Sequence, residues 1–337
     1  MSCVIGIDIG TTSTIGILLD TKKNKILAKK SLKVNLFSYK PGWAEEDPNQ
    51  WWKNTFNILK YLSKFAKLNN KKILAIGTTG MLPALVIVDK NGKIIRNSIQ
   101  QSDSRTQKQI KKIFNKKKIK NFIKLTNCGV NQQLIAPKLL WIKENEKENF
   151  NKIYKIFGSY DYINYKLTNK YSIEQNWALE SGLMDFNKKK FTNFLVSLGS
   201  TKLNQYPSIY KSDQVIANIS KKISKQLNLD NNIKIIAGCA DHVVSAFSAG
   251  VNKSGDVLLK FKVNPLGQVL SPKIIKGIGH GCDEEAIRVV KKLKYPKLIN
   301  RKVKVTTYKK IKIRPLALPN ILELNIKARV IYYRSLK

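Results

Sequence analysis

The first twenty residues restrict the fold of this chain more than any later segment. Val4-Ile5-Gly6-Ile7-Asp8-Ile9 is a β-branched run, the turn Gly10-Thr11-Thr12-Ser13 follows, and Thr14 to Asp20 forms a second run. A third extended stretch, Ile26 to Val34, comes after the polar Thr21-Lys22-Lys23-Asn24. Three strands joined by short turns predict an antiparallel meander. The same residues put a carboxylate, Asp8, near the end of an apolar strand and just before a glycine-led turn. Glycine lets the backbone come close to a ligand, so the turn Gly10, Thr11, Thr12 is a candidate phosphate contact through its N–H groups and two hydroxyls. A carboxylate beside a phosphate needs a cation between them, which makes Asp8 a candidate Mg2+ partner through water. A plain hairpin with an aspartate in its turn explains the same residues without a ligand.

Further along, Asp47 reads as a helix N-cap, Pro48 suits the first helical position, and Gln50 completes a capping-box spacing. Trp52, Phe56, Leu59, Leu62 and Ala66 recur at intervals of three and four. That stripe predicts a helix whose core face includes Trp52 and Phe56. Short strands are expected at 73–78 and 84–89, with a hairpin turn at Asn91-Gly92. Helices are expected at 137–144, led by Pro137, and at 159–167. A strand at 233–237 runs into Gly238-Cys239-Ala240-Asp241, and 242–250 reads as a helix. The succession of strands and βα units argues a mixed α/β fold. Asp241, where strand gives way to helix, is either a helix cap or a base that takes a proton from a substrate hydroxyl.

Charge bears on partners. The chain carries 62 Lys and Arg against 22 Asp and Glu, a net charge of +40. A nucleic-acid surface would gather that charge into a stripe. Here the lysines are spread, and the runs Lys116-Lys117-Lys118 and Lys188-Lys189-Lys190 read as solvated faces. The excess travels with Asn and Ile, residues that share A/T-rich codons, so compositional drift accounts for it and nucleic acid is not an expected partner. Cys3, Cys128, Cys239 and Cys282 form no CxxC pair, and His242 and His280 are the two histidines. Neither a zinc cluster nor a disulfide framework is expected. No apolar run reaches the roughly 20 residues needed to cross a bilayer, and no basic segment precedes an apolar one at the start. A cytoplasmic location is the expectation.

An ordered series of motifs resembles the FGGY carbohydrate kinase family. Asp8-Ile9-Gly10-Thr11-Thr12 resembles its first phosphate motif, and Pro41-Gly42-Trp43-Ala44-Glu45-Glu46-Asp47-Pro48 with Trp51-Trp52 its GW-E-DP-WW stretch. Ile76-Gly77-Thr78-Thr79-Gly80-Met81, Val86 to Asp89, Asn91-Gly92 and Ser102-Asp103-Ser104-Arg105-Thr106 follow in family order. So do Ala136-Pro137-Lys138-Leu139-Leu140-Trp141, Asp161-Tyr162-Ile163, Lys166-Leu167-Thr168 and Gly238-Cys239-Ala240-Asp241. The resemblance covers residues 3 to 261. It implies a ribonuclease H/actin-like α/β fold in two domains, with ATP and Mg2+ in the cleft and a sugar or polyol hydroxyl as phosphoryl acceptor. Asp241 matches the catalytic base and Asp8 the metal-linked carboxylate. Leu82-Pro83 stands where xylulokinase-like members carry Met-His and glycerol kinases Arg-Glu, and it matches neither. His242, Gln101 and Asp103 are further pocket candidates. Asp103 and Arg105 equally suit a structural ion pair.

The family order breaks off after Phe261, where Lys262-Val263-Asn264-Pro265 replaces the second glycine-rich phosphate motif. The expectation is therefore a sugar-side half without the nucleotide-binding domain. Residues 262–315 resemble a TonB-type C-terminal domain, through Ile274 to Val290 with its glycines at 277, 279 and 281, and a strand from Val303 to Ile313. A charged helix is expected at 282–294 and a strand at 302–306. Residues 316–337 form a tail without pattern. Domain limits are thus expected at 1–261, 262–315 and 316–337. Three functions fit: a sugar kinase by ancestry, a non-catalytic sugar-binding remnant, or a chimera bearing a TonB-like interaction module.

Overall fold

Alternation fixes the first three strands. In β1 (Ser2–Ile9) and β2 (Ser13–Asp20) every second residue is buried. The two pair antiparallel from Cys3 opposite Asp20 to Ile9 opposite Thr14, and β3 (Lys25–Lys33) pairs antiparallel with β2. The meander expected from the sequence is present. The computed structural model describes residues 2–248, 255–264, 268–277, 282–291 and 305–313. The chain divides into two compact units, Met1–Asp241 and His242–Lys337.

Helix α1 (Pro48–Leu68) leads from the meander to β4 (Lys72–Gly80), which lies parallel to β1. Asp47 caps α1 by accepting from Asn49 N at 2.8 Å. Gln50 does not close the expected capping box; its Oε1 instead accepts from Asn35 N at 3.0 Å. The core stripe is also rotated from the expected one. Trp51, Thr55, Ile58, Leu59, Leu62 and Ala66 are buried, whereas Trp52 and Phe56 are only half-buried. Trp51 wins the core position because its indole N–H finds a buried acceptor, Glu46 Oε2, at 2.8 Å. Burial pushes that carboxyl up to about 8.

The expected strand at 84–89 is the shorter Val86–Val88, paired antiparallel with Lys155–Phe157. Gly92 takes the left-handed backbone of the following turn, with φ +74°. Helices α2 (Ile135–Asn145) and α3 (Ser159–Thr168) and strand β6 (Lys234–Ala240) fall where expected, while β5 (Val215–Asn218) and α4 (Lys221–Leu227) are elements for which the sequence pattern raises no expectation. The six-stranded mixed sheet has the order β5-β6-β4-β1-β2-β3. Strands β1, β4 and β6 are mutually parallel at its centre. Helix α1 packs on β2 and β3, and α3 on β6 and β4. This arrangement matters because ligands of open α/β sheets bind at the carboxyl ends of parallel strands.

Helix α5 (Asp241–Ser248) starts at the last residue of the first unit. In the second unit, β7 (Gly255–Val263) is the middle strand of an antiparallel sheet ordered β8-β7-β9, with β8 Val269–Lys276 and β9 Val305–Ile313. Helix α6 (Cys282–Lys291) packs on it and buries Ala286 and Val290, one turn apart, while Leu259 and Phe261 are buried on β7. Residue 261 lies inside β7. Residues 249–250, Gly279, Gly281, 292–294, 302–304 and the tail from 316 lie outside the described residues. Among the described residues no helix is long and apolar enough to cross a membrane.

Candidate active site at the strand ends

The alternation of β1 buries Ile5, Ile7 and Ile9 and leaves Asp8 half-buried on the other face. Register carries that face across the sheet. Asp8 lies opposite Thr79 on β4, and Thr79 opposite Cys239 on β6, so these residues share one row. Asp241 follows β6 directly. The carboxyl of Asp8 is raised to about 6, first by burial and then by the negative charge of Asp241. Two residues 233 positions apart in sequence thus sit close enough to repel, at the ends of the two parallel strands on either side of β4. The Thr79 hydroxyl is buried without a partner.

A bulge delivers Asp241 there. The ladder between β6 and β4 shifts register between Ile236 and Cys239. Gly238 fills the extra position at φ +88°, where a Cβ would lie 1.9 Å from the carbonyl oxygen of Thr78. Asn164 of α3, fully buried, ties both sides together. Its Oδ1 accepts from Thr78 Oγ1 at 3.0 Å, and its Nδ2 donates to Ala237 O at 2.9 Å. Gly238 N donates to Ser212 O at 3.1 Å. Behind it Glu174 accepts from Ser212 Oγ at 2.6 Å and from Tyr160 OH at 2.8 Å. Burial raises this carboxyl to about 7.

The turn after β1 is compact. Gly10 N donates to Ser13 O at 3.1 Å, and a Cβ on Gly10 would meet that same oxygen at 3.1 Å. Thr11 Oγ1 donates to Met81 Sδ at 3.3 Å, and Met81 N donates to Ile9 O at 3.2 Å. Thr12 is exposed. Sulfur is a weak acceptor, so the Thr11 hydroxyl is easily drawn to a phosphate oxygen.

The remaining sequence candidates fall elsewhere. Leu82 and Pro83 are buried, and Pro83 O accepts from Lys138 Nζ at 3.1 Å. Lys138 has no exposed surface, and burial lowers its ammonium to about 7 against the opposing pull of Asp103. Asp103 is wholly buried. Its Oδ2 accepts from Ala44 N at 2.7 Å and from Arg105 Nη2 at 2.7 Å; its Oδ1 accepts from Arg105 N at 3.0 Å and Nε at 2.9 Å. Of the two readings left open for Asp103 and Arg105, the ion pair is the one present. Arg105 also meets Glu45 at 2.7 Å, and its guanidinium lies 3.7 Å from the centre of the Trp43 ring. Arg96 pairs with the same Glu45. Gln101 is half-buried in the turn before this knot, and His242, on the far side of the unit division, is exposed. The sequence reasoning passed over Lys138, Thr79 and Asn164. A lysine amid the apolar Ile135 to Ile142 was the one available signal.

The described residues hold no cluster of three or more His, Cys, Asp or Glu suited to a metal. A pair of carboxylates without further protein ligands suits Mg2+, which keeps several waters, better than zinc.

Comparison with known proteins places this arrangement in a class. The crystal structure of xylulose kinase from Rhodospirillum rubrum matches with a TM-score of 0.72 at 36% identity, over 77% of this chain and 56% of that one. Plasmodium falciparum glycerol kinase with ADP, 21% identical, shares the fold alone, with a TM-score of 0.70 over 93% of this chain and 61% of that one. The fold is therefore the ribonuclease H/actin-like fold of sugar kinases. Residues 3–248 match the model of the FGGY family of carbohydrate kinases, N-terminal domain, and the chain belongs to that family. The xylulose kinase of Staphylococcus xylosus is 30% identical over 251 residues, 74% of this chain and 51% of that protein. The chain spans about half the length of the curated relatives it matches. Residues 248–314 match the model of the Gram-negative bacterial TonB protein C-terminal.

Proposed function

We propose that the first unit is the acceptor side of a carbohydrate kinase, binding a sugar or polyol and presenting one hydroxyl for phosphoryl transfer from ATP. The observation that carries this is the charge coupling of Asp8 and Asp241 at the ends of β1 and β6, the two parallel strands that flank β4, in a chain of the FGGY family. Asp241 takes the proton of the attacking hydroxyl, since phosphoryl transfer asks of the protein mainly positioning and one residue to orient the nucleophile. Asp8 would hold Mg2+ through water. The repulsion between the two carboxylates and the orphaned Thr79 hydroxyl beside Asp8 both favour a hydrated cation there. Gly10, Thr11 and Thr12 would face phosphate oxygens. Mg-ATP, when bound, supplies the transferable group and neutralises its charge. Gln101 is the exposed-side candidate for contact with the sugar. Leu82, Pro83 and Asp103 are buried and would act on a bound sugar only from behind other groups, and His242 follows the base.

The match of residues 248–314 to a different family favours a second reading, in which the unit binds sugar without turnover. One experiment separates them. The purified chain is given ATP, Mg2+ and a panel of ketopentoses and polyols, and product is followed beside the melting temperature. The kinase reading predicts sugar-dependent phosphorylation that falls about 10²–10⁴-fold in Asp241→Ala. Stabilisation by a sugar without product supports the binding reading. No product and no stabilisation by any sugar overturns both.

A further inference from the structure

Trp52 and Phe56, displaced from the core, line a groove of about 740 Å³ between α1, α3 and α4. It shares no residue with the Asp8–Asp241 site. Lys53, Lys166 and Lys222 contribute three ammonium groups to its wall, and neither Asp nor Glu is among the described residues that line it. Among the described residues none of the three lysines makes an ion pair. Lys53 and Lys222 are exposed, but Lys166 is half-buried, with its ammonium 5.5 Å from the centre of the Trp52 ring. Burial, and then the charge of Lys222, hold Lys166 below its ordinary pKa.

This combination is incomplete without a ligand. Three cations around one concavity repel, and a half-buried ammonium that lacks a counter-ion stays partly desolvated. An anion supplies what the wall lacks. The volume lies in the range of small-molecule sites, about 300–1,000 Å³, and exceeds what an inorganic ion fills. The half-buried Trp52 and Phe56, in edge contact at 5.8 Å, give the groove an apolar side. We propose that this groove binds an organic phosphate with a flat, apolar body, the dianion resting on Lys166 and Lys222 and the body against Trp52 and Phe56.

The test uses the full chain and phenyl phosphate, followed by calorimetric titration. Saturable one-site binding is expected, with inorganic phosphate and phenol each at least about tenfold weaker, since each offers one half of the recognition. Lys166→Met and the exposed Lys222→Ala should each weaken phenyl phosphate about tenfold, whereas Lys188→Ala, at an exposed position that does not line the groove, should not change it. Lys222→Ala keeps the test sound if Lys166→Met fails to fold. Absence of saturation overturns the proposal. So does an equal loss in Lys188→Ala, which would reduce the effect to the overall charge of the chain, or full binding in Lys222→Ala.

Discussion

Gly238→Ala is expected to destabilise the first unit by about 3 kcal/mol or more. The position combines two penalties. Its φ of +88° is one that residues with a Cβ seldom adopt, and the new Cβ would lie 1.9 Å from Thr78 O. That neighbour is backbone in the central strand β4, so it cannot swing aside as a side chain would. Relief requires β6 to separate from β4, which also breaks the bridge from Asn164 to Thr78 and Ala237. The strand end then no longer presents Asp241 beside Asp8. All five tryptophans lie between residues 43 and 177, in the first unit, so indole emission during urea unfolding reports this unit directly. A variant with an unchanged midpoint contradicts the bulge described here.

Arg105→Ala is the second large effect, a loss of about 3–5 kcal/mol. The guanidinium is almost wholly buried and meets Asp103 and Glu45, each at 2.7 Å. It also packs against both Trp43 and Trp141, 3.7 and 4.8 Å from the ring centres. Its removal leaves Asp103 buried without its ion pair, with the Ala44 amide and the nearby Lys138 as its remaining support, and opens a gap beside two indoles. Arg105→Lys should restore only part of the loss, because an ammonium cannot make the fork that grips both oxygens of Asp103 or stack as a plane. Unfolding free energies for the two variants decide the matter. A loss under about 1 kcal/mol for Arg105→Ala would place the knot among exposed ion pairs of little consequence.

These two residues mark the limit of what can be read from the chain alone. The meander, the α/β succession and the pair Asp8 and Asp241 were legible because each has a local signature: strand alternation, a glycine-led turn, a carboxylate at a strand-to-helix junction. The bulge was not, since Gly238 looks like any glycine before a turn until β4 is beside it. Trp51 and Trp52 are equally apolar, and the phase of α1 was settled by a partner for the indole N–H, Glu46, that periodicity does not see. Asp103 suits either a sugar contact or an ion pair with Arg105 as far as the sequence goes. Its burial follows from Arg105 folding back two residues and from an amide 59 positions away. Lys138 is the same kind of case, a charge in an apolar stripe whose acceptor, Pro83 O, comes from another element.

Asp8 and Asp241 form one electrostatic unit. Carboxyl carbon NMR of Asp8, titrated in the wild type and in Asp241→Asn, measures it. The expected wild-type midpoint is near 6; it drops in the variant, yet stays above that of an ordinary aspartate because burial is the larger cause. A midpoint unmoved by the substitution would mean that the two carboxylates do not share a site.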